Sequence, residues 1–303
     1  MPESVLAIDE SALGRAILKP VAPRVVRVTS QTVMPVRVPH QGLLRDCLST
    51  ALREFTGKNS EESAWRSILR PDDVVLLKFN QSASGRLLTT PAFATVLVDS
   101  LTEAGWSLEQ LMLLEAGRDF ERAGDTRPPD FRWQGEEVEF GSSGKDSFMA
   151  ALDQATALIN VPFLKTHRRA IMTSCLKNLS HGLIRHPARF HANGCDPAIG
   201  QIVASDPIRS KLRLNIVNAI RVIFEGDAHG SEQGIHTFGG VIMGSDPVAC
   251  DAIGFSILNE IRALRGADPL LGAAGIPPQL LTAQKLGVGA CDRSKIDLRV
   301  QAF

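Results

Sequence analysis

Net charge is the first thing this 303-residue sequence lacks: Lys plus Arg and Asp plus Glu stand at 33 each. That balance argues against a basic footprint spread over the surface, so no nucleic-acid partner is expected. No apolar run reaches the roughly 20 residues that a bilayer-crossing helix needs, and no membrane partner is expected. The opening MPESVLAIDESALGRAILKP has early acids and neither a basic-then-apolar leader nor a twin-arginine start, which predicts a cytoplasmic location. Cysteine pairs are missing too. Cys47, Cys175, Cys195, Cys250 and Cys291 stand far apart without a C-x-x-C, which disfavours an iron–sulfur cluster or a zinc knuckle and reads as reduced packing residues. Gly-x-Gly-x-x-Gly, the P-loop pattern and G-x-S-x-G are also absent, so nucleotide binding and serine hydrolysis are disfavoured.

The most informative shortage is local. Between Asp153 and Asp196 there is no Asp or Glu, where the chain's own acid frequency would place roughly four or five. The same interval carries Lys165, His167, Arg168, Arg169, Lys177, His181, Arg185, His186, Arg189 and His191. In a neutral protein this asymmetry describes a basic pocket or rim, and a small anionic molecule is the expected partner.

The apolar pattern predicts an α/β fold: an open, mostly parallel sheet with helices on both faces, an irregular N-terminal arm and a polar excursion, all as one domain over residues 1–303. VVLLKFN from residue 74, residues 111–114, 157–161, 212–217 and 240–243 read as core strands, and residues 296–300 as a short final one. Helices are expected over 43–55, 61–69, 93–104, 148–154 and from 248 to about 264, with Thr89-Thr90-Pro91 and Ser245-Asp246-Pro247 as starts. Residues 25–28 and 33–38 read as edge strands or an arm, because Pro35 cannot serve a central ladder. Residues 118–147 form the excursion, with a short hairpin expected through 131–140. In the basic stretch, Met172, Cys175, Leu176, Leu179 and Leu183 recur at helical spacing, with Thr173, Lys177 and His181 on another face.

Polar residues end the strands: Lys78 and Asn80, Glu115, Asn160 and Lys165, Asn218, and Asp246. In an open parallel sheet these line one edge, where ligands bind. Six of the seven histidines fall between His167 and His236, which suits proton transfer, anion binding or metal ligation. Lys177, among Lys165, Arg168 and Arg169, is expected to have a lowered pKa from like-charge repulsion and so to act as a base or nucleophile, a role that the sequence supports equally with a plain carboxylate or phosphate clamp.

Taken together, VVLLKFN, Thr90-Pro91, LINVPFLKTH, LKNLSHG, His191, LNIVNAI, FEG and GSDPVACDAIG resemble the domain-of-unknown-function-362 family over residues 73 to 256. The sequence departs from many members in lacking a ferredoxin-like segment and an export signal, and in having Asn218 where an aspartate and Phe79 where a proline is more frequent. It is also distantly similar to the nickel-pincer lactate racemase family. That similarity implies that His167, Lys177 and His191, with Thr90-Pro91 at the early helix start, serve a nickel-pincer cofactor. Here Gly117-Arg118-Asp119 lacks the histidine expected after the early Ala-Gly, and Thr173-Ser174-Cys175-Leu176 replaces a glycine-rich run.

The reading is an enzyme with a basic cleft for a small carboxylate- or phosphate-bearing substrate, working by isomerase- or racemase-like acid–base chemistry. Lys177, His167 and His191 are the candidate catalytic residues. Lys78, Asn80, Thr90, Lys165, Arg168, Asn178 and Asp246 are the candidate substrate contacts, and His167 with His191 the candidate metal ligands. A non-catalytic carrier for a metal complex or an acidic molecule is the alternative, and a metal-dependent redox protein the third reading. An oligomer is compatible with the apolar tail residues Leu270, Leu271, Leu280 and Leu281.

Overall fold

The computed structural model of the chain describes residues 22–34, 38–117, 126–273 and 275–303. The expected arm before residue 22, part of the 33–38 patch and the start of the polar excursion lie outside the described residues. Strands β1 (Arg24–Thr29), β2 (Val75–Lys78), β3 (Leu111–Leu114), β6 (Ala157–Asn160), β9 (Leu212–Ile223), β10 (Ile235–Gly244) and β12 (Asp297–Ala302) build one sheet in the order β12-β1-β10-β9-β6-β2-β3. Strands β7 (Phe163–His167) and β8 (Ile171–Thr173) extend it, while β4 (Val138–Glu139) and β5 (Lys145–Asp146) form a separate two-stranded ribbon. Another short strand, β11, spans Leu270–Ala273. Most pairings are parallel, with β10 antiparallel to both neighbours and β8 antiparallel to β7.

The period-2 alternation of the strands divides the core in two. Val75, Leu77, Leu111, Leu113, Ile159 and Ile216 pack on one face with Leu44, Trp65, Phe93 and Leu97 from the helices Gln41–Thr56, Glu61–Ile68 and Thr90–Glu103. Leu76, Met112, Leu158, Val217 and Ile242 face the other way, toward Leu176, Leu179, Ile199, Ile253 and Leu280. Those residues belong to the helices Cys175–His181, Ala198–Val203, Pro247–Leu264 and Pro278–Lys285. Helices therefore cover both faces, as the near-continuous apolar runs of β2, β3 and β6 require.

Several elements differ from expectation. β1 is not an edge strand: β12 pairs outside it and β10 inside it. The polar excursion's ribbon falls at residues 138–146 rather than 131–140, because the tight Gly141–Gly144 turn closes it. β9 continues through Asn218 to Ile223 instead of ending there.

That extra length matters for the site. β6 pairs only with the first part of β9, up to Asn160 opposite Asn215. After Pro162 the chain resumes beside the second part as β7, with Phe163 opposite Asn218. β8 then returns along β7, pairing Lys165 with Thr173 and His167 with Ile171. This two-stranded extension projects past the carboxyl ends of β2, β3 and β6, where Lys78 aligns with both Leu114 and Asn160.

The helix Cys175–His181 closes the corner between this extension and the sheet. Asp251 holds its start, accepting the Cys175 N–H at 2.6 Å and the Leu176 N–H at 3.0 Å. Its end passes so near β2 that a Cβ on Gly182 would lie 2.5 Å from Lys78 Nζ and 2.6 Å from the Asn178 carbonyl oxygen. Gly182→Ala should therefore lower the unfolding free energy by about 1–3 kcal/mol through overpacking. Equilibrium urea denaturation reads the effect directly, and an unchanged midpoint would mean that this approach is loose.

Candidate active site

A cavity of about 470 Å³ opens where β2, β7, β8 and the helix Cys175–His181 converge, lined by Asn80, Gln81, Ser82, Glu115, Lys165, His167, Thr173, Lys177, Asn178, His181, Gly182, Pro187 and His191. Alternation along β7 sends Lys165 and His167 into it, while Leu164 turns to the core beside Gly254. Helical spacing brings Lys177 and His181 to the same wall. Thr173 joins them from β8, so it reaches this face from a strand and not from the helix.

Three asparagines tie the cavity floor to the sheet. Asn178 Nδ2 donates to the Lys78 carbonyl at 3.2 Å and to Asn160 Oδ1 at 2.8 Å. Asn160 Nδ2 donates in turn to Asn215 Oδ1 at 2.9 Å and to the Cys175 carbonyl at 3.2 Å. Asn215 Nδ2 ends the relay on the Gly244 and Ser245 carbonyls, at 3.2 Å each. All three side chains are buried, and a buried polar chain of this kind stabilises only when each member is paired. Asn215 and Asp251 were not among the expected site residues. Their partners are distant in sequence, and the only available signal was a polar residue inside an apolar run.

The cations differ in what they can offer. Lys78 is fully buried and its ammonium is saturated: it donates to the Phe79 carbonyl at 2.6 Å, Glu115 Oε2 at 3.0 Å and Asn178 Oδ1 at 3.2 Å. It braces the floor and lies outside the lining. Lys165 donates to the Ser82 carbonyl at 3.0 Å and to Ser82 Oγ at 2.9 Å. Burial, and then the Lys177 charge, push it down to about 8. Lys177 is also held down to about 8, and the cause is burial, with Cys195 acting in the opposite direction. The repulsion expected from Arg168 and Arg169 does not lower it, since both arginines are exposed on the turn between β7 and β8.

The three histidines of the cavity are pushed toward the neutral form. Burial first, and the Lys177 charge second, lower His167 to about 3 and His181 to about 2, and the same two causes lower His191. Hydrogen bonds settle two tautomers. His167 Nδ1 accepts from the Arg169 and Ala170 N–H groups at 3.2 and 3.0 Å, so its proton sits on Nε2. His191 Nδ1 faces the Pro187 carbonyl at 3.0 Å and must donate, leaving the Nε2 lone pair 3.4 Å from Lys177 Nζ. Among the described residues, Asn80 Oδ1, Thr173 Oγ1 and His181 Nε2 are buried at this wall without a hydrogen-bond partner in the protein.

The cavity thus brings together Lys177, His167, His191, Asn80, Lys165 and Asn178 of the expected set. The others are placed elsewhere. Asp246 caps the helix Pro247–Leu264, accepting from Val248 and Ala249 at 2.8 and 2.9 Å and from Ala290 at 2.9 Å. It is outside the lining because β10 runs antiparallel to β9, which carries the chain back toward the amino end of β9. Thr90 starts the helix Thr90–Glu103 away from the lining, and it is Thr89 Oγ1 that accepts from Asn218 at 3.0 Å. Arg168 borders neighbouring surface grooves. As a metal pair, His167 and His191 stack with centroids 5.9 Å apart, but the Nε2 of His167 is protonated and has no lone pair to give.

Residues 122–256 match the family model described as "Domain of unknown function (DUF362)". The resemblance read from the motifs is thus shown, with a match that starts later than residue 73. No curated protein matches the chain. Among solved structures, one similar fold is "Structure of the lactate racemase apoprotein from Thermoanaerobacterium thermosaccharolyticum", at 13% identity and a TM-score of 0.44, covering 80% of this chain. The chain spans 58% of the length of that structure.

Two buried ammonium groups in one cavity should cost stability. Lys177 has a folded pKa of about 8 against 10.5 for the free side chain, so the unfolded chain binds more protons between those values and stability rises with pH there. Lys177→Met should raise the unfolding free energy at pH 7, by at most on the order of 2–3 kcal/mol, and flatten this slope. Thermal melts from pH 7 to 10 check both, and a destabilised, equally steep Lys177→Met protein would refute the charge cost.

Proposed function

We infer that the protein is an enzyme that binds a small carboxylate- or phosphate-bearing molecule in this cavity and moves a proton on it. The observation that carries this reading is that, among the described residues, no carboxylate pairs with Lys165 or Lys177. The one lining carboxylate among those residues, Glu115, is already engaged with Lys78 and with the Gln81 N–H at 2.9 Å. An anion would neutralise the lysines, and the unpaired Asn80 and Thr173 oxygens would meet its hydroxyl or other donor groups.

A pKa near 8 gives Lys177 a useful neutral fraction at ordinary pH, the condition for a general base. The neutral amine takes a proton from the carbon next to the substrate carboxylate or carbonyl. The C–H bond breaks, an N–H bond forms, and the electron pair moves onto the substrate oxygen as an enolate. The Lys165 ammonium and the His167 Nε2–H are donors suited to that developing charge. Return of the proton to carbon completes an isomerisation or racemisation. His191 Nε2, beside Lys177 Nζ, holds the amine in place and accepts its proton as a hydrogen bond.

A nickel-pincer group of the kind implied by the racemase resemblance would be held by Lys177 and His191, whose Nζ and Nε2 lie 3.4 Å apart. It would add a metal that polarises a substrate oxygen. His167, also expected to serve it, lines the same cavity, whereas Thr90 is not part of the lining, and none of the steps above uses the group.

Because one lysine must be neutral and the other charged, kcat/KM should follow a bell centred near pH 8, with limbs belonging to the pair. The assay is hydrogen–deuterium exchange at carbon, followed by NMR in D2O, over a panel of 2-hydroxy and 2-keto carboxylates and phosphate monoesters. Exchange should vanish in Lys177→Ala while the fold is retained, and Lys165→Met should weaken binding of the same compounds by about tenfold or more. Tight binding without exchange, insensitive to Lys177→Ala, would instead identify a carrier.

A further inference from the structure

We propose that His181, His191 and Cys195 form a binding site for a borderline transition-metal ion of the zinc class, with its fourth position open to the cavity. The proposal does not depend on the proton-transfer reading, and a bound ion takes from Lys177 the His191 Nε2 lone pair that the reading assigns to it. Their donor atoms all lie within 4.8 Å of one another. Around tetrahedral zinc the donors are roughly 3.3–3.6 Å apart, so modest side-chain rotation closes the set.

The ring nitrogens are prepared for this. His191 donates its Nδ1 proton to the Pro187 carbonyl, which leaves Nε2 as a lone pair. His181 Nδ1 lies 3.0 Å from Ser180 Oγ, which also reaches the Lys177 carbonyl at 3.3 Å. With Ser180 accepting from an Nδ1–H, the His181 Nε2 lone pair is free for an ion. That Nε2 is buried with no partner in the protein. A backbone or hydroxyl acceptor behind each ring is the outer-shell arrangement that orients metal-ligating histidines. The rings meet edge to face, with centroids 4.6 Å apart.

The backbone brings the thiol to them at a cost. Asn193, Gly194 and Cys195 all have left-handed φ, at 50°, 69° and 69°. Two of the three are not glycine, and such residues persist only where their surroundings over-determine them. The turn folds Cys195 back beside His191, four positions earlier. Two imidazoles and a thiolate, with no carboxylate, suit zinc and its neighbours and not magnesium or calcium. His191 Nε2 cannot serve this ion and a nickel-pincer group at once, so the two occupants are exclusive.

The test uses the full-length protein, stripped with chelator and titrated with Zn(II) and, for its spectrum, Co(II). One equivalent should bind, with tetrahedral d–d bands and a thiolate-to-cobalt charge-transfer band. Cys195→Ser should abolish the charge-transfer band, and His181→Asn should weaken binding on the order of tenfold or more. Metal-free melts establish that each variant folds, and His191→Asn supplies the same readout if Cys195→Ser does not. His167→Asn should leave affinity within about twofold, since that ring has no lone pair facing the cluster. No stoichiometric binding, a cobalt complex without the thiolate band, equal loss in His167→Asn, or nickel retained with an organic mass would each overturn the proposal.

Discussion

The site depends on one buried carboxylate. Asp251, from the second turn of the helix Pro247–Leu264, receives the first two N–H groups of the helix Cys175–His181. Those groups have no partners within their own helix, and both residues are buried. The helix is only seven residues long, too short to be stable by itself. Asp251 fixes its start and the Asn178–Asn160–Asn215 relay fixes its middle to the sheet. Its register over Lys78 and beside β7 is thereby set. Burial pushes Asp251 up to about 6, while the two backbone donors hold it down.

The same geometry explains what could be read from the sequence. β2, β3 and β6 are buried on both faces, so they are short apolar runs with a polar residue at the end, and Lys78, Asn80, Glu115 and Asn160 do gather at one edge. The extension formed by β7 and β8 was not visible. Lys165, Thr166 and His167 break the apolar pattern because one face of β7 lines a cavity, and Pro162 hides that the strand continues beside β9. Asn218 looked like a strand end because polarity usually marks one, yet here it sits inside β9 and bonds to Thr89. Asp251 and Asn215 act across 76 and 55 residues, which no local pattern reveals.

Spacing also grouped Thr173, Lys177 and His181 on one face, and the structure places all three on the cavity wall by a different route. A strand residue and two helix residues coincide because β8 runs directly into the helix, with Ser174 as its N-cap. Asp246, Thr90 and Arg168 show the converse. Each has the chemistry of a substrate contact, but a helix start or an exposed turn uses that chemistry first.

Charge inside the cavity is finally a matter of which groups remain ionised once water is removed. Imidazolium is the first to go: the three histidines are already neutral, so the stretch that looks uniformly basic in sequence contributes only Lys165 and Lys177 as charge. The histidines then act through fixed tautomers. His167 presents an N–H, whereas His191 presents a lone pair, and these opposite polarities are imposed by backbone partners on the far side of each ring. A cavity built this way separates two tasks that a cluster of interchangeable basic residues could not. One wall carries donors, the Lys165 ammonium and the His167 Nε2–H, and the other carries the Lys177 amine and the His191 Nε2 lone pair.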